Sequence, residues 1–176
     1  MWNGNGYNIN GKKKFKIKDG KGKGKEYYYN GKLKFEGEYL NGKRKGKGID
    51  YYENGIKLYE GEYLNGKKNG KGKEYYYNGQ LKFEGEYLKG KVWKGKGKEY
   101  YYNGQLKFEG EYLNGERNGK GRKYYYDGKL KFKGEFLNGK IWNGKGKEYD
   151  INGRLIFEGD YLNGKKENHF LVLNNI

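Results

Sequence analysis

One eight-residue phrase recurs six times along this chain: an aromatic residue, Glu or Lys, Gly, an acid, an aromatic residue, Leu, Asn or Lys, and Gly, beginning at Phe35, Tyr59, Phe83, Phe108, Phe132 and Phe157. The middle glycines, Gly37, Gly61, Gly85, Gly110, Gly134 and Gly159, stand 24, 24, 25, 24 and 25 residues apart. A near-constant step of this size marks a repeat architecture, in which each unit is one supersecondary element that cannot bury its own face and must stack on its neighbours. Function is then expected on a repeated surface rather than in one catalytic pocket.

Composition decides what the repeated unit is made of. The hydrophobic fraction of 33% and the charged fraction of 35% would on their own describe a disordered chain. The 22 Tyr, 8 Phe and 3 Trp oppose that reading, because each ring buries roughly 150–250 Å² and can stabilise a thin structure with little aliphatic content. The expected core is aromatic and shallow. The chain has 34 Gly and no Ala, which argues against helices, where Gly costs about 1 kcal/mol relative to Ala. Tyr, Phe and Gly alternating with Lys and Glu suit strands instead.

Asn-Gly between alternating apolar and polar residues is the strongest short-range hairpin signal, since both central residues of a type I′ turn need positive φ. Pairing outward from Tyr77-Asn78-Gly79-Gln80 places Tyr76 opposite Leu81, Glu74 opposite Phe83, Gly72 opposite Gly85 and Gly70 opposite Tyr87. The other side pairs Tyr75 with Lys82, Lys73 with Glu84 and Lys71 with Glu86, so its charged pairs have opposite signs. The same construction about Asn30-Gly31 pairs Gly24 with Gly37, Lys25 with Glu36 and Lys23 with Glu38. About Asn103-Gly104 it pairs Gly97 with Gly110, Lys98 with Glu109 and Lys96 with Glu111. Two places depart from the rule: Arg122 faces Lys133, and Leu58 falls opposite Tyr51.

A Gly opposite a Gly leaves a trough without side chains, over which rings such as Phe83 and Tyr87 can lie. The second connection, from Leu40 to Gly46, is also short enough for a hairpin. The expected fold is all-β: an elongated antiparallel up-and-down meander of stacked β-hairpin repeats forming a single twisted or trough-like sheet. At about 4.8 Å between strands and two strands per repeat it would be about 60 Å long. One domain is expected over residues 1–176, with 1–34 as partial or irregular N-terminal repeats, 35–164 as six regular repeats and 165–176 as a C-terminal capping segment. Within that last segment, His169-Phe170-Leu171-Val172-Leu173 reads as a final strand closing the sheet edge, or as a dimer contact.

Numbered from Phe35, glycines fall at the third, eighth, twelfth, fourteenth and twenty-first positions, Gly37, Gly42, Gly46, Gly48 and Gly55. This aromatic-and-glycine grid resembles the MORN repeat, whose units are two-stranded hairpins stacked into an elongated sheet. The longer step and Gly-Lys-Gly-Lys-Glu-Tyr-Tyr-Tyr-Asn-Gly look still more like the bacterial variant of that repeat, found in proteins described as antitoxins of toxin–antitoxin systems. The position where the family ordinarily carries Trp is filled here by Tyr39, Tyr63, Tyr87, Tyr112, Phe136 and Tyr161. The resemblance implies a scaffold, a membrane-associated module that binds anionic lipid, or a neutralising partner of a toxin, with no shared catalytic residue to carry over.

The residues themselves leave little room for catalysis. The chain has no Ser, Thr or Cys, which removes nucleophilic catalysis by those groups and any disulfide. The lone histidine, His169, has no cluster of ligands or acids around it. The carboxylates Glu36, Glu38, Glu84, Glu86, Glu109 and Glu111 read as members of cross-strand ion-pair ladders rather than as glycosidase-like pairs. Gly90 to Gly97 mimics a phosphate-binding loop until Gly97 takes the place of the magnesium-binding hydroxyl. Neither a metal site nor a cofactor is expected. No apolar run approaches the roughly 20 residues that span a bilayer, and Met1 to Gly11 lacks a signal-peptide core, so a cytoplasmic or membrane-peripheral placement is expected.

Two features point to a binding surface. Trp93 and Trp142 occupy the same slot of the connection after the phrase, echoed by Trp2, where the other copies are one residue shorter. Each reads as a loop residue, either a bulge whose ring folds back over a neighbouring rung or an anchor for a partner. The formal net charge is +17. With the strand ladders near neutral, much of it falls to connections expected on one edge of the meander: Lys43, Arg44, Lys45, Lys67, Lys68, Lys91, Lys94 and Lys140. Such an edge solubilises and blocks edge pairing, or meets an anionic partner. The expected partner is an acidic protein; the alternative is anionic membrane lipid; nucleic acid, which fits by Tyr stacking and Lys contacts, is the lesser alternative because many lysines already face glutamates.

Overall fold

The structure, a computed structural model, describes residues 4–7, 13–18 and 20–167. Among them are fifteen strands: β1 (Gly4–Tyr7), β2 (Lys13–Lys18), β3 (Lys21–Tyr27), β4 (Leu33–Leu40), β5 (Lys43–Tyr51), β6 (Lys57–Leu64), β7 (Lys67–Tyr75), β8 (Leu81–Leu88), β9 (Lys91–Tyr100), β10 (Leu106–Leu113), β11 (Glu116–Tyr124), β12 (Leu130–Leu137), β13 (Lys140–Tyr149), β14 (Leu155–Leu162) and β15 (Lys165–Lys166). No helix occurs among the described residues. Trp2 and residues 168–176 of the capping segment, His169 among them, lie outside these residues.

The chain divides into two compact units, residues 1–95 and 96–176. In the first, each strand from β1 to β8 pairs antiparallel with the next in chain order. In the second, β10 to β15 do the same. Each unit is therefore an all-β up-and-down meander of stacked hairpins.

Two turn types alternate, and the type I′ turn expected at Asn78-Gly79 is found at the other connection. At Asn78-Gly79 only Gly79 has positive φ, 83°. Gly79 N–H donates to Tyr76 C=O and Tyr76 N–H to Gln80 C=O, each at 2.8 Å. This is a three-residue loop, a type I turn closed by a left-handed glycine bulge. The Asn78 side chain holds it by accepting from Gln80 N–H at 3.0 Å, and Asn30, Asn54, Asn103 and Asp127 repeat the contact. The bulge moves the turn-proximal pairs: Tyr75 faces Leu81, not Lys82, and Tyr51 faces Lys57, not Leu58. Beyond it the expected register holds, with Gly72 opposite Gly85, Lys73 opposite Glu84 and Lys71 opposite Glu86.

The type I′ turns are the other connections. Asn41 and Gly42 have φ of 49° and 73°, and Asn65-Gly66, Lys89-Gly90, Asn114-Gly115, Asn138-Gly139 and Asn163-Gly164 follow. With only two residues in the turn, Leu40 pairs directly with Lys43. Lys43, Arg44 and Lys45 are therefore strand residues, as are Lys67, Lys68, Lys91, Lys94 and Lys140, expected in loops or at strand ends, and Trp93 and Trp142, expected in loops. The surplus residues are absorbed as bulges: Tyr39 pairs with Arg44 and Gly37 with Gly48, leaving Glu38 opposite Lys45-Gly46-Lys47. The Glu38 carboxylate lies over Gly46, whose φ is +77°, where a Cβ would sit.

The glycine trough exists as expected. A Cβ added at Gly37 or Gly48 would come within 2.7 or 2.6 Å of Phe35 Cζ, and at Gly85 or Gly95 within 2.8 or 2.7 Å of Phe83 Cζ. Rings then meet edge to face along each unit, Phe35 with Tyr63 at 5.4 Å and Phe108 with Phe136 at 5.0 Å between centroids. Phe35, Tyr59, Phe108 and Phe132 are fully buried, so one aromatic layer over backbone is the core of each unit.

Candidate functional site: a charged lattice and a basic turn edge

The penultimate residue of β3, β5, β7, β9 and β13 is an acid: Glu26, Asp50, Glu74, Glu99 and Glu148. Each carboxylate accepts from a tyrosine thirteen residues later: Tyr39 to Glu26 at 2.6 Å, Tyr63 to Asp50, Tyr87 to Glu74 at 3.1 Å, Tyr112 to Glu99 at 2.7 Å and Tyr161 to Glu148 at 2.8 Å. The second residue after the type I′ turn supplies a cation. Arg44 Nε and Nη2 donate to Glu26 at 3.0 and 2.8 Å, Nη1 donates to Asp50 at 2.8 Å, and the guanidinium lies 3.8 Å from the Phe35 ring centroid. Arg117 grips Glu99 at 2.8 and 2.6 Å over Phe108. Lys68 pairs with Glu74 at 2.9 Å over Tyr59, and Lys166 with Glu148 at 2.5 Å over Phe157.

These contacts fix protonation states. Burial pushes the Glu26, Glu74 and Glu99 carboxyls up, but donors outweigh it and hold all three below the ordinary carboxylate range: Arg44 and Tyr39 for Glu26, Lys68 and Lys82 for Glu74, Arg117 and Tyr112 for Glu99. Burial, and next the bond to an acid, raise the Tyr39, Tyr63, Tyr112 and Tyr161 phenols. Tyr51, bonded to Glu36, is pushed up to about 12. The acids are committed to ion pairs and the phenols to staying neutral. None of this was legible as a site in the sequence, although the acids recur at the repeat step; a search for the 24- and 25-residue spacing among charged residues finds them.

Arg44 and Lys68, expected on a partner-facing edge, are folded inward over rings. Lys43, Lys45, Lys67, Lys91, Lys94 and Lys140 are exposed. They flank the type I′ turns, which stack: Gly66 N–H donates to Arg44 C=O at 2.9 Å and Gly90 N–H to Lys68 C=O at 2.8 Å in the first unit, Gly139 to Arg117 and Gly164 to Trp142 at 2.9 Å in the second. Across these turns a leucine faces a lysine, as Leu64 does Lys67, except that Leu113 faces Glu116, and Leu64 and Leu88 are both exposed. Trp93, in the same strand as Lys91 and Lys94, is 41% exposed. Trp142 is half-buried, its ring against the Asn163-Gly164 turn. The fold-back expected of the extra residue is therefore found at Trp142, while Trp93 is left exposed.

The opposite face of the first unit is a groove of about 1150 Å³ with a glycine floor. Its walls are the expected ladders, including Lys25–Glu36 at 3.0 Å and Lys73–Glu84 at 3.1 Å. In the second unit Arg122, opposite Lys133 as expected, turns to Glu109 at 3.2 Å, which relieves the like-charge pair.

Among the described residues no helix is long and apolar enough to cross a membrane. A search among curated proteins gives no match. Residues 35–57, 59–81 and 108–129 match the MORN repeat, and residues 21–41 and 93–114 match the MORN repeat variant. The matched segments take in more than half of the sequence and coincide with the stacked hairpins described above, so the chain belongs to the MORN repeat family.

Proposed function

We propose that this chain is a non-catalytic repeat scaffold that binds an acidic protein along its stacked type I′ turns. The observation that carries the reading is the division of the cations. Arg44, Lys68 and Arg117 are spent on internal carboxylates, whereas Lys43, Lys45, Lys67, Lys91 and Lys94 stay exposed beside leucines and Trp93. A row of ammonium groups interleaved with apolar side chains suits a complementary acidic surface, with Trp93 as the anchoring contact. Within this reading, neutralisation of an acidic toxin is the specific role suggested by the bacterial repeat variant.

The test compares the wild-type chain with Lys43→Glu/Lys67→Glu/Lys91→Glu as bait in its native cell and in coexpression with neighbouring toxin genes. A stoichiometric acidic partner lost in the variant, at unchanged melting midpoint, supports the proposal. Equal recovery by both proteins removes the edge as the binding surface. The exposed Leu64, Leu88 and Trp93 favour one second reading, docking on anionic lipid, where each Lys contributes about 1 kcal/mol. Salt-sensitive cosedimentation with anionic but not neutral vesicles, weakened by Trp93→Ala, would select it.

A further inference from the structure

Among the described residues, one rung of the lattice lacks acid, tyrosine and cation together. In the second unit the acid position of β11 holds Lys123, the tyrosine position of β12 holds Phe136, and the cation position of β13 holds Ile141. The three changes are chemically consistent: no carboxylate remains to accept a phenol proton, and no cation is needed to pair with one. Val92 occupies the cation position of β9 while Glu74 and Tyr87 are retained, so an aliphatic residue there does not by itself call for a lysine.

The exchange leaves space and charge together. Ile141 is shorter than the arginine or lysine of other repeats, and an open groove of about 810 Å³ lies beside it, lined by Phe136, Trp142 and Tyr161 and by Lys123. Lys131, Lys140 and Lys166 also line it, but Lys131 lies 4.7 Å over the Tyr125 ring, Lys140 is exposed to solvent beside the Asn138-Gly139 turn and Lys166 is paired with Glu148. Lys123 has no carboxylate at ion-pair distance among the described residues. Burial, and then Lys131, Arg117 and Lys107, lower its pKa, with Glu99 the opposing charge. A half-buried ammonium without a counter-ion is costly, and an incoming anion would relieve it.

We propose that this groove binds an organic anion, a carboxylate on an aryl or alkyl body, with the carboxylate on Lys123 and the body against Ile141 and Trp142. The groove has the size of a small-ligand site. A carboxylate fits better than a phosphate dianion because Glu148 lines the same groove, and a carboxylate is the group that every other repeat places in this position. The proposal does not depend on the role of the turn edge.

The experiment titrates the full chain with 2-naphthylacetate, 2-naphthylacetamide and acetate, read by calorimetry and by the amide and indole N–H resonances of Lys123, Ile141 and Trp142. One equivalent of 2-naphthylacetate should bind and shift those resonances. The neutral amide should bind about tenfold more weakly or worse, as should the Lys123→Met variant with the acid, the loss expected for one charge-assisted contact. Lys123→Glu, which restores the residue type of the other repeats, should abolish binding. Equal affinity for acid and amide, no binding of the acid, or unchanged affinity in Lys123→Met overturns the proposal. Should Lys123→Met lose its folded spectrum, Ile141→Trp fills the groove instead, and retained binding there overturns it.

Discussion

The Tyr39 hydroxyl donates to the Glu26 carboxylate at 2.6 Å across two strands, and the same bond at the same thirteen-residue separation recurs wherever the repeat keeps its acid. Each partner makes the burial of the other tolerable: the carboxylate gains a donor, the phenol an acceptor, and Arg44 closes the triangle from above the Phe35 ring. Each unit is held by this polar lattice laid over an aromatic layer.

The lattice predicts two limits of pH stability. The Glu26, Glu74 and Glu99 carboxyls are held below their ordinary range in the folded chain, so their contribution is complete above the unfolded value of about 4.3 and disappears as pH falls through the lower folded values. The raised phenols act at the other end: stability is complete below about pH 10 and declines above it as the unfolded chain ionises first. Melting midpoints should be level between these limits and fall outside them, and the share of the 295 nm phenolate absorbance that Tyr39→Phe and Tyr112→Phe remove should appear together with unfolding, after that of exposed tyrosines such as Tyr29 and Tyr102. Ionisation of Tyr39 or Tyr112 well before unfolding would contradict the buried hydroxyl bonds.

Gly85→Val should lower stability by about 2 kcal/mol or more through overpacking. Its Cβ would meet Phe83 Cζ at 2.8 Å, Gly95 Cα at 2.6 Å and the Lys94 carbonyl oxygen, none of which can withdraw without moving a strand. Gly42→Ala differs in kind: nothing lies near its Cβ, and the cost is the left-handed φ of 73° alone. An unchanged denaturation midpoint for Gly85→Val would count against the trough.

Adjacent cations should behave oppositely. Arg44→Met leaves Glu26 and Asp50 without their guanidinium and should cost about 2 kcal/mol, less than for a fully buried pair because Glu26 is 38% exposed. Lys43→Met, one residue away and exposed, should change stability by no more than about 0.5 kcal/mol. Urea unfolding of both variants checks the contrast, and similar values would mean the inward and outward cations are not distinct.

Much of this fold is legible in the sequence because glycine and charge alternate at fixed spacing. The Gly72–Gly85 and Lys73–Glu84 pairs follow from counting outward from a corner, and an error of one residue at the corner fades beyond the bulge. The corner types are not legible from Asn-Gly alone, since both connections of a repeat carry that dipeptide. What separates them is hydrogen bonding: Asn78 spends its side chain on Gln80 N–H, whereas Asn41 adopts positive φ and lets Leu40 pair with Lys43. Arg44 and Lys68 read as edge charges because a lysine-rich run gives no sign of which member lies over a ring. Only their recurrence at 44, 68, 117 and 166, with aliphatic residues at 92 and 141, carries that information.

The glycine lane under the rings is the claim on which the register, the lattice and the exposed edge all depend, and proton NMR tests it directly. The Hα resonances of Gly37 and Gly48 should lie far upfield of those of Gly42 and Gly66, shielded by the Phe35 ring 2.6–2.7 Å from their Cβ directions, and should show cross-relaxation to the Phe35 ring protons. Ordinary glycine shifts at both positions, without contact to Phe35, would contradict the account.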